Sequence, residues 1–359
     1  MDVVRSKGQR MFLHQAIEHG IRIDGRGSFD HRPLSLEQGI LRTADGSARV
    51  ILGKTELFVI INAEMLEVDD SSSLEKRLNF TVKIAPQGPN AARFGPDEKR
   101  RDDEDLERDE ILQLSVGIRP EQENSSVIMP PSDNVLDKLA VKYEREISEE
   151  NECLVSRDIE AALDKIFNDL SELELERIAV SKNHVWSIEV ELMVVKYAGN
   201  LLEAAYLGAK AALDDFVCIQ PPVTHDTETG KDLIGAVQDE DALVSWKFDI
   251  EKTPLIGTSY RVGDSVFLDP NDYEEVLNPV LCWVAIDRPT SNKIADDDCC
   301  ISWSALTGTG GTRDGIHREM LTTAIRSARK WDPVLRDYIK LWRQTKRDPY
   351  ATVLLSFNK

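Results

Sequence analysis

Apolar residues recur at helical spacing over 7–19, where Met11, Phe12, Ala16 and Ile17 mark one face, and Gly20 ends the pattern as a C-terminal cap does. The spacing predicts a short leading helix. Further on, "GSARVIL" and "TELFVIINAEML" are rich in Val, Ile and Phe and flank Gly53-Lys54, so they predict a β-hairpin. "LNFTVKIAP" predicts a third strand with Phe80, Val82 and Ile84 on one face.

A helical stripe of Ile159, Leu163, Ile166, Phe167 and Leu170 follows, with Ser156 placed as an N-cap and Asp158 at the positive end of the dipole. Trp186, Ile188, Val190, Leu192 and Val194 then alternate with Ser187, Glu189 and Glu191, the period of a half-buried strand. "LLEAAYLGAKAALDD" predicts a helix whose small residues allow close approach to a sheet. After the polar link "CIQPPVTHDTETGKDL", the runs "ALVSWKFDI", "LIGTSYRV", "DSVFLD" and "PVLCWVAID" predict an antiparallel meander. Two helices are expected over 312–330 and 332–345, the second with Asp332 as N-cap and Pro333 at its first position.

Strands followed by helices, twice over, indicate an α+β chain of two similarly built βα halves. The expected division is an N-terminal helix at 1–20, a first half at 21–235 and a second half with C-terminal helices at 236–359. The first half is interrupted. Residues 96–110 hold nine acidic and four basic side chains with Leu106 as the one large apolar residue, too little apolar surface to offset ordering entropy. Residues 96–153 therefore read as an acidic, partly disordered insertion, with a helix expected near 135–149.

Charge narrows the partners. The formal net charge of -20 excludes a generally cationic surface, so any nucleic-acid contact must be local or supplied by partner chains. Cys153, Cys218, Cys282, Cys299 and Cys300 are odd in number and form no CxxC pair, which predicts free thiols in a reducing compartment. The N-terminus lacks the apolar centre of a secretory leader and no apolar run approaches a membrane span, so a soluble intracellular protein is expected.

Candidate chemistry is sparse. Asp24-Gly25-Arg26-Gly27 reads as a turn with Asp24 and Arg26 paired as structural residues; a phosphate site would need the glycines to enter a helix, and here they lead through Arg32-Pro33 into extended chain. Asp269, Glu274 and Glu275 offer a carboxylate group for a metal, or a solvated hairpin rim, and the rim is favoured. Asp296-Asp297-Asp298-Cys299-Cys300 is poorly spaced for tetrahedral zinc and reads as a loop entering a strand. His184 has no nucleophile partner in sequence and reads as a satisfied structural histidine. Arg93, Lys99, Arg100 and Arg101 form a local basic cluster: a salt-laced loop, or phosphate contacts for RNA.

Three separated motifs carry a resemblance. "RIDGRGSFDHRPLSLEQG" with "ADGSARVILGKTELFVIINAE", then "NHVWSIEVELMVVKYAGNLLEAAYLGAKAAL", then "VFLDPNDYEEVL" are similar, in order, to the RNase PH family, over most of 22–285 outside the insertion. The resemblance implies an RNase PH-like fold. Active phosphorolytic members carry Gly-Gly-Thr-Arg after the central strand, where the arginine and backbone hold phosphate; this chain reads Ala198-Gly199-Asn200-Leu201. Leucine has neither charge nor donor. The family's downstream aspartate after Asp269-Pro270 is also replaced, the text running Val276-Leu277-Asn278-Pro279, and no Ser-Arg-Arg-Glu element precedes the first-half helix.

These departures resemble the non-catalytic ring subunits of the eukaryotic RNA exosome. The implied role is structural: scaffolding and threading for 3′-to-5′ RNA processing and degradation, with no catalytic residue, cofactor or metal. Implied partners are other RNase PH-like subunits in a hetero-hexameric ring, RNA-binding cap subunits, an associated hydrolytic nuclease and single-stranded RNA, with no membrane. The implied location is the nucleus and nucleolus, and also the cytoplasm. The alternatives are an active phosphate-dependent exoribonuclease and an acidic interaction protein that has kept only the fold.

Overall fold

The computed structural model describes residues 7–68, 78–85, 155–171, 173–225, 232–235, 244–287, 300–308, 312–345 and 353–355. The insertion at 96–153, its helix near 135–149 and the basic cluster Arg93, Lys99, Arg100 and Arg101 lie outside the described residues.

The leading helix α1 spans Lys7–Glu18, and Gly20 follows it with φ +70°, a left-handed stop that favours glycine. The first sheet is built from β1 (Leu34–Gln38), β2 (Gly46–Leu52), β3 (Thr55–Glu67), β4 (Leu78–Ile84) and β5 (His184–Lys196). β2 and β3 are the expected hairpin, turning at Gly53-Lys54. β5 lies antiparallel to β3 and parallel to β4. Its even positions Ile188, Val190, Leu192 and Val194 are buried, as the alternation requires.

Helix α2 covers 155–164 and widens into a π turn over Lys165–Asp169. Ile159, Leu163, Ile166 and Phe167 are buried against the sheet, as expected. Ser156 is already inside the helix instead of capping it. Helix α3, Leu201–Asp215, is buried from Leu201 through Asp214, because it is covered by the first sheet on one side and by the second half on the other. Its small residues permit this: a Cβ on Gly208 would stand 2.7 Å from the Val59 side chain.

The polar link is more structured than its composition suggests. β6 (Cys218–Gln220) pairs with β9 (Val244–Trp246), and β7 (Val223–His225) pairs with β8 (Asp232–Ile234). The backbone N–H and C=O groups find partners there without much apolar burial. The second sheet runs in the order β11 (Ser265–Phe267), β10 (Leu255–Val262), β12 (Val280–Ile286), β13 (Ile301–Thr307). It is therefore not a plain meander: β12 returns to the far side of β10 after the short helix α4 (Asp272–Glu275).

The two expected C-terminal helices are one. Helix α5 runs unbroken over Asp314–Thr345 with Pro333 inside it. A proline in a helix interior costs roughly 3 kcal/mol, but breaking the helix would withdraw Trp331, Leu335 and Tyr338 from the core, all at most 2% exposed. Pro333 stands on the exposed side, and Asp332 pairs with Arg336 one turn on instead of capping. The short strand β14 (Val353–Leu355) then pairs with β1, so the C-terminal segment returns to the first sheet.

Candidate functional site

The loop of residues 21–33 carries three arginines across to the second half. Arg22 is 5% exposed and grips Glu274 through both carboxylate oxygens, Nε to Oε1 at 2.8 Å and Nη2 to Oε2 at 2.5 Å. Its remaining donors reach the carbonyls of Leu268 and Asp269, and its guanidinium lies over the Phe267 ring. Such a fork suits arginine and would not suit lysine.

Asp269 is the centre. It is fully buried at φ +48° and accepts from the Arg32 backbone N–H at 2.6 Å, Arg32 Nη2 at 2.8 Å, Arg26 Nη1 at 3.0 Å and Asn200 Nδ2 at 2.9 Å. Arg32 also donates to the carbonyls of Ala198 and Gly199, which ties the end of β5 to the opening loop. Burial by itself would raise the Asp269 carboxyl, but Arg32 and then Arg26 overcome it and hold the group at about 2. Arg26 pairs with Asp24 as the turn reading predicts, and it additionally reaches Asp269.

A second branch runs through α3. Asn200, left-handed at φ 53°, donates to Glu203 at 2.7 Å and accepts from the Tyr260 hydroxyl at 3.0 Å. Glu203 also takes the Thr258 hydroxyl at 2.6 Å and the Ser327 hydroxyl, while Ser327 meets His31 Nε2 at 2.9 Å. Burial is the main influence lowering the His31 pKa, so the ring is neutral in this setting. Four elements (the opening loop, α3, β10 and α5) thus meet in one buried polar network.

Glu275 closes the set. Its carboxylate accepts the Tyr197 hydroxyl and the Asn200 backbone N–H at 2.8 Å. Burial raises it to about 7, against the lowering effect of those hydrogen bonds and of Arg32. In the folded chain Glu275 keeps its proton to about 7, whereas its ordinary value is 4.5. The stability this contributes is complete below about pH 4.5 and is lost as pH rises through about 7, because the folded state binds the extra proton. Glu275→Gln is expected to flatten that decline, measured as the urea midpoint across the same window.

The expectation of a solvated rim at Asp269, Glu274 and Glu275 is therefore corrected. The left-handed turn at Asp269 and the capping box of α4, where Asn271 and Glu274 exchange hydrogen bonds, turn these carboxylates inward. There the three arginines meet them. No group of three or more metal-ligating side chains forms among the described residues. His184 bonds Ser181 through Nδ1 at 3.1 Å, the satisfied histidine expected, and Cys300 stands exposed just before β13. Burial pushes the Cys218 and Cys282 thiols up to about 11.

Leu201 occupies the first position of α3, 4% exposed within the core. Arg32 reaches the Gly199 carbonyl two residues before it, and Arg22, Arg26 and Arg32 are all engaged by carboxylates. Sequence reasoning missed Glu203 as a hub. Its signal was available: an acid in the first turn of a helix whose next charged residue is Lys210, two turns further on.

Residues 30–116 match domain 1 of the 3′ exoribonuclease family RNase PH. The Rrp42 exosome component of Pyrobaculum aerophilum is 25% identical over 256 residues, covering 71% of this chain and 70% of that one. A putative exosome complex exonuclease RRP42 of Dictyostelium discoideum is 36% identical over 88 residues, 23% of this chain and 27% of that protein. Among solved structures, an archaeal exosome core chain superposes with a TM-score of 0.57 at 17% identity, covering 91% of this chain and 96% of that one. A chain of the Archaeoglobus fulgidus exosome with RNA bound to the active site gives 0.54 at 19% identity, covering 90% and 96%. The match to domain 1, the order of the three motifs and the two-sheet architecture give this chain an RNase PH-like fold, with sequence similarity to Rrp42 exosome components.

Proposed function

We propose that this chain is a non-catalytic Rrp42-like subunit of an exosome ring, which supports 3′-to-5′ RNA processing and degradation by scaffolding and by threading RNA to a hydrolytic nuclease. The observation that carries the reading is Leu201: where active relatives are expected to grip phosphate with arginine, this chain buries an aliphatic side chain. The surroundings support it. The nearby guanidiniums are neutralised by Asp24, Asp269 and Glu274, and Glu203 and Glu275 add further acid, so an incoming phosphate would meet no uncommitted arginine there among Arg22, Arg26 and Arg32. The proposed partners are RNase PH-like ring neighbours, RNA-binding cap subunits and single-stranded RNA; the proposed location is the nucleus and nucleolus, with the cytoplasm.

Two measurements test it. Native mass spectrometry of the assembly that contains this chain should show RNase PH-like neighbours, and their absence would remove the ring reading. The purified chain, incubated with RNA and inorganic phosphate, should release no nucleoside diphosphate. Leu201→Arg is expected to restore none either and to lower stability by several kcal/mol, because it buries a charge in the core beside an already saturated network. Nucleoside diphosphates produced by the wild-type chain would instead establish the phosphorolytic alternative.

A further inference from the structure

Phe29 belongs to the signature loop, yet the polar network does not use it. It lies 49% exposed between the glycine turn and His31. Across from it, the first turns of α5 present Gly315, Arg318, Glu319, Thr322, Thr323 and Arg326, and together with Phe29 these line an open cleft of about 320 Å³. Arg318, Thr322 and Arg326 fall on one exposed face of α5, spaced four residues apart. Neither arginine has a carboxylate partner among the described residues, in contrast to Arg22, Arg26 and Arg32.

Two uncommitted guanidiniums on one helix face of a chain with net charge -20 call for an explanation. Eight residues of helix separate them by about 12 Å, a span that brackets the cleft. Guanidiniums suit phosphodiester oxygens and the flat exposed ring of Phe29 offers a stacking surface, while the Thr322 hydroxyl between the two charges donates to the Arg318 carbonyl at 2.8 Å. An acidic peptide would satisfy the arginines but leave the aromatic face without a matching plane. Glu319 opposes any anion and sets the affinity as modest.

We infer that the cleft between Phe29 and the Arg318–Arg326 face of α5 is a binding site for single-stranded nucleic acid, with phosphates on the two arginines and a base against Phe29. The choice of RNA as ligand rests on the proposed function; the cleft and its chemistry do not.

The test is fluorescence anisotropy of the full chain with a labelled oligouridylate, titrated at about 50 and about 200 mM salt. Arg318→Ala with Arg326→Ala is expected to weaken binding at least tenfold and to reduce the salt slope by about 1.4, the value for two phosphate contacts on a single strand. Phe29→Ala should weaken binding about tenfold with the slope unchanged, as loss of one stacked base does. Glu319→Gln should tighten it. All these side chains are at the surface, so thermal unfolding should match the wild type. A double variant that binds RNA with wild-type affinity and slope would overturn the site, as would polyglutamate competing as well as RNA. Absence of RNA binding by the wild type would also end this inference, while native mass spectrometry would still decide the ring reading separately.

Discussion

Asp269→Ala is expected to destabilise the fold by about 3–5 kcal/mol, the cost of removing one partner from a buried ionic network. The side chain is completely buried, and its loss leaves Arg32, Arg26 and the Asn200 amide facing an empty position. The alternative partners are few: Arg32 would retain only the carbonyls of Ala198 and Gly199. Urea denaturation at neutral pH measures the effect. A control on the first sheet sharpens it. Lys83→Ala removes the exposed pair to Glu191, where Lys83 is 60% exposed, and should cost no more than about 0.5 kcal/mol. Comparable losses in the two variants would show that the buried network contributes no more than a surface pair. Acid gives a second readout. Asp269 is depressed from 3.8 to about 2, so its contribution is complete above about pH 3.8 and disappears as pH falls through about 2, opposite in sense to Glu275.

Gly257→Ala is expected to cost at least about 3 kcal/mol, the upper part of the range for overpacked cores. Gly257 sits in the middle of β10, and a Cβ there would run into the Ala324 carbonyl oxygen of α5 and stand 2.7 Å from the Ala328 nitrogen. These are backbone atoms of a long helix, so relief requires lifting α5 off the sheet. Ala324 and Ala328 are fully buried because the two elements approach this closely. Gly208→Ala in α3 is the milder contrast: its new Cβ would meet buried side-chain methyls of Val59 at 2.7 Å, Leu57 at 3.0 Å and Val50 at 3.1 Å, with no backbone atom among them. The helix gains about 1 kcal/mol when alanine replaces glycine, which offsets part of the overpacking, so Gly208→Ala should cost clearly less than Gly257→Ala. Thermal unfolding of the two variants distinguishes the cases, and equal melting temperatures would rule out backbone-to-backbone packing of α5 on β10.

Several elements were legible from the chain alone because their physics is local. The β2–β3 hairpin follows from β-branched runs around Gly53, α1 from its helical spacing and Gly20, and β5 from strict alternation, although α1 buries Leu13 and Ile17 and leaves Met11 and Phe12 of the expected face exposed. The pairing of Asp24 with Arg26 is local too, two residues apart. The motif order and the leucine at 201 were likewise visible without coordinates. The site is different in kind. Asp269 and Glu274 looked like solvated hairpin carboxylates, since nothing nearby in sequence neutralises them; their partners Arg32 and Arg22 are 237 and 252 residues away.

The same reason separates the other outcomes. Pro333 reads locally as a helix start, and only the burial of Trp331, Leu335 and Tyr338 keeps α5 continuous. The link after α3 reads as polar loop, and only pairing of β6 with β9 shows where its backbone groups go. What the sequence determined by itself was the local elements, among them α1, the β2–β3 hairpin and β5, and a side chain without charge or donor at Leu201. Tertiary structure alone decided which charges face each other, because a buried ion pair depends on distance and desolvation between groups that chain order does not bring together. It also decided which of these arginines lack a carboxylate partner among the described residues: Arg22, Arg26 and Arg32 are paired, and Arg318 and Arg326 stand at the cleft beside Phe29.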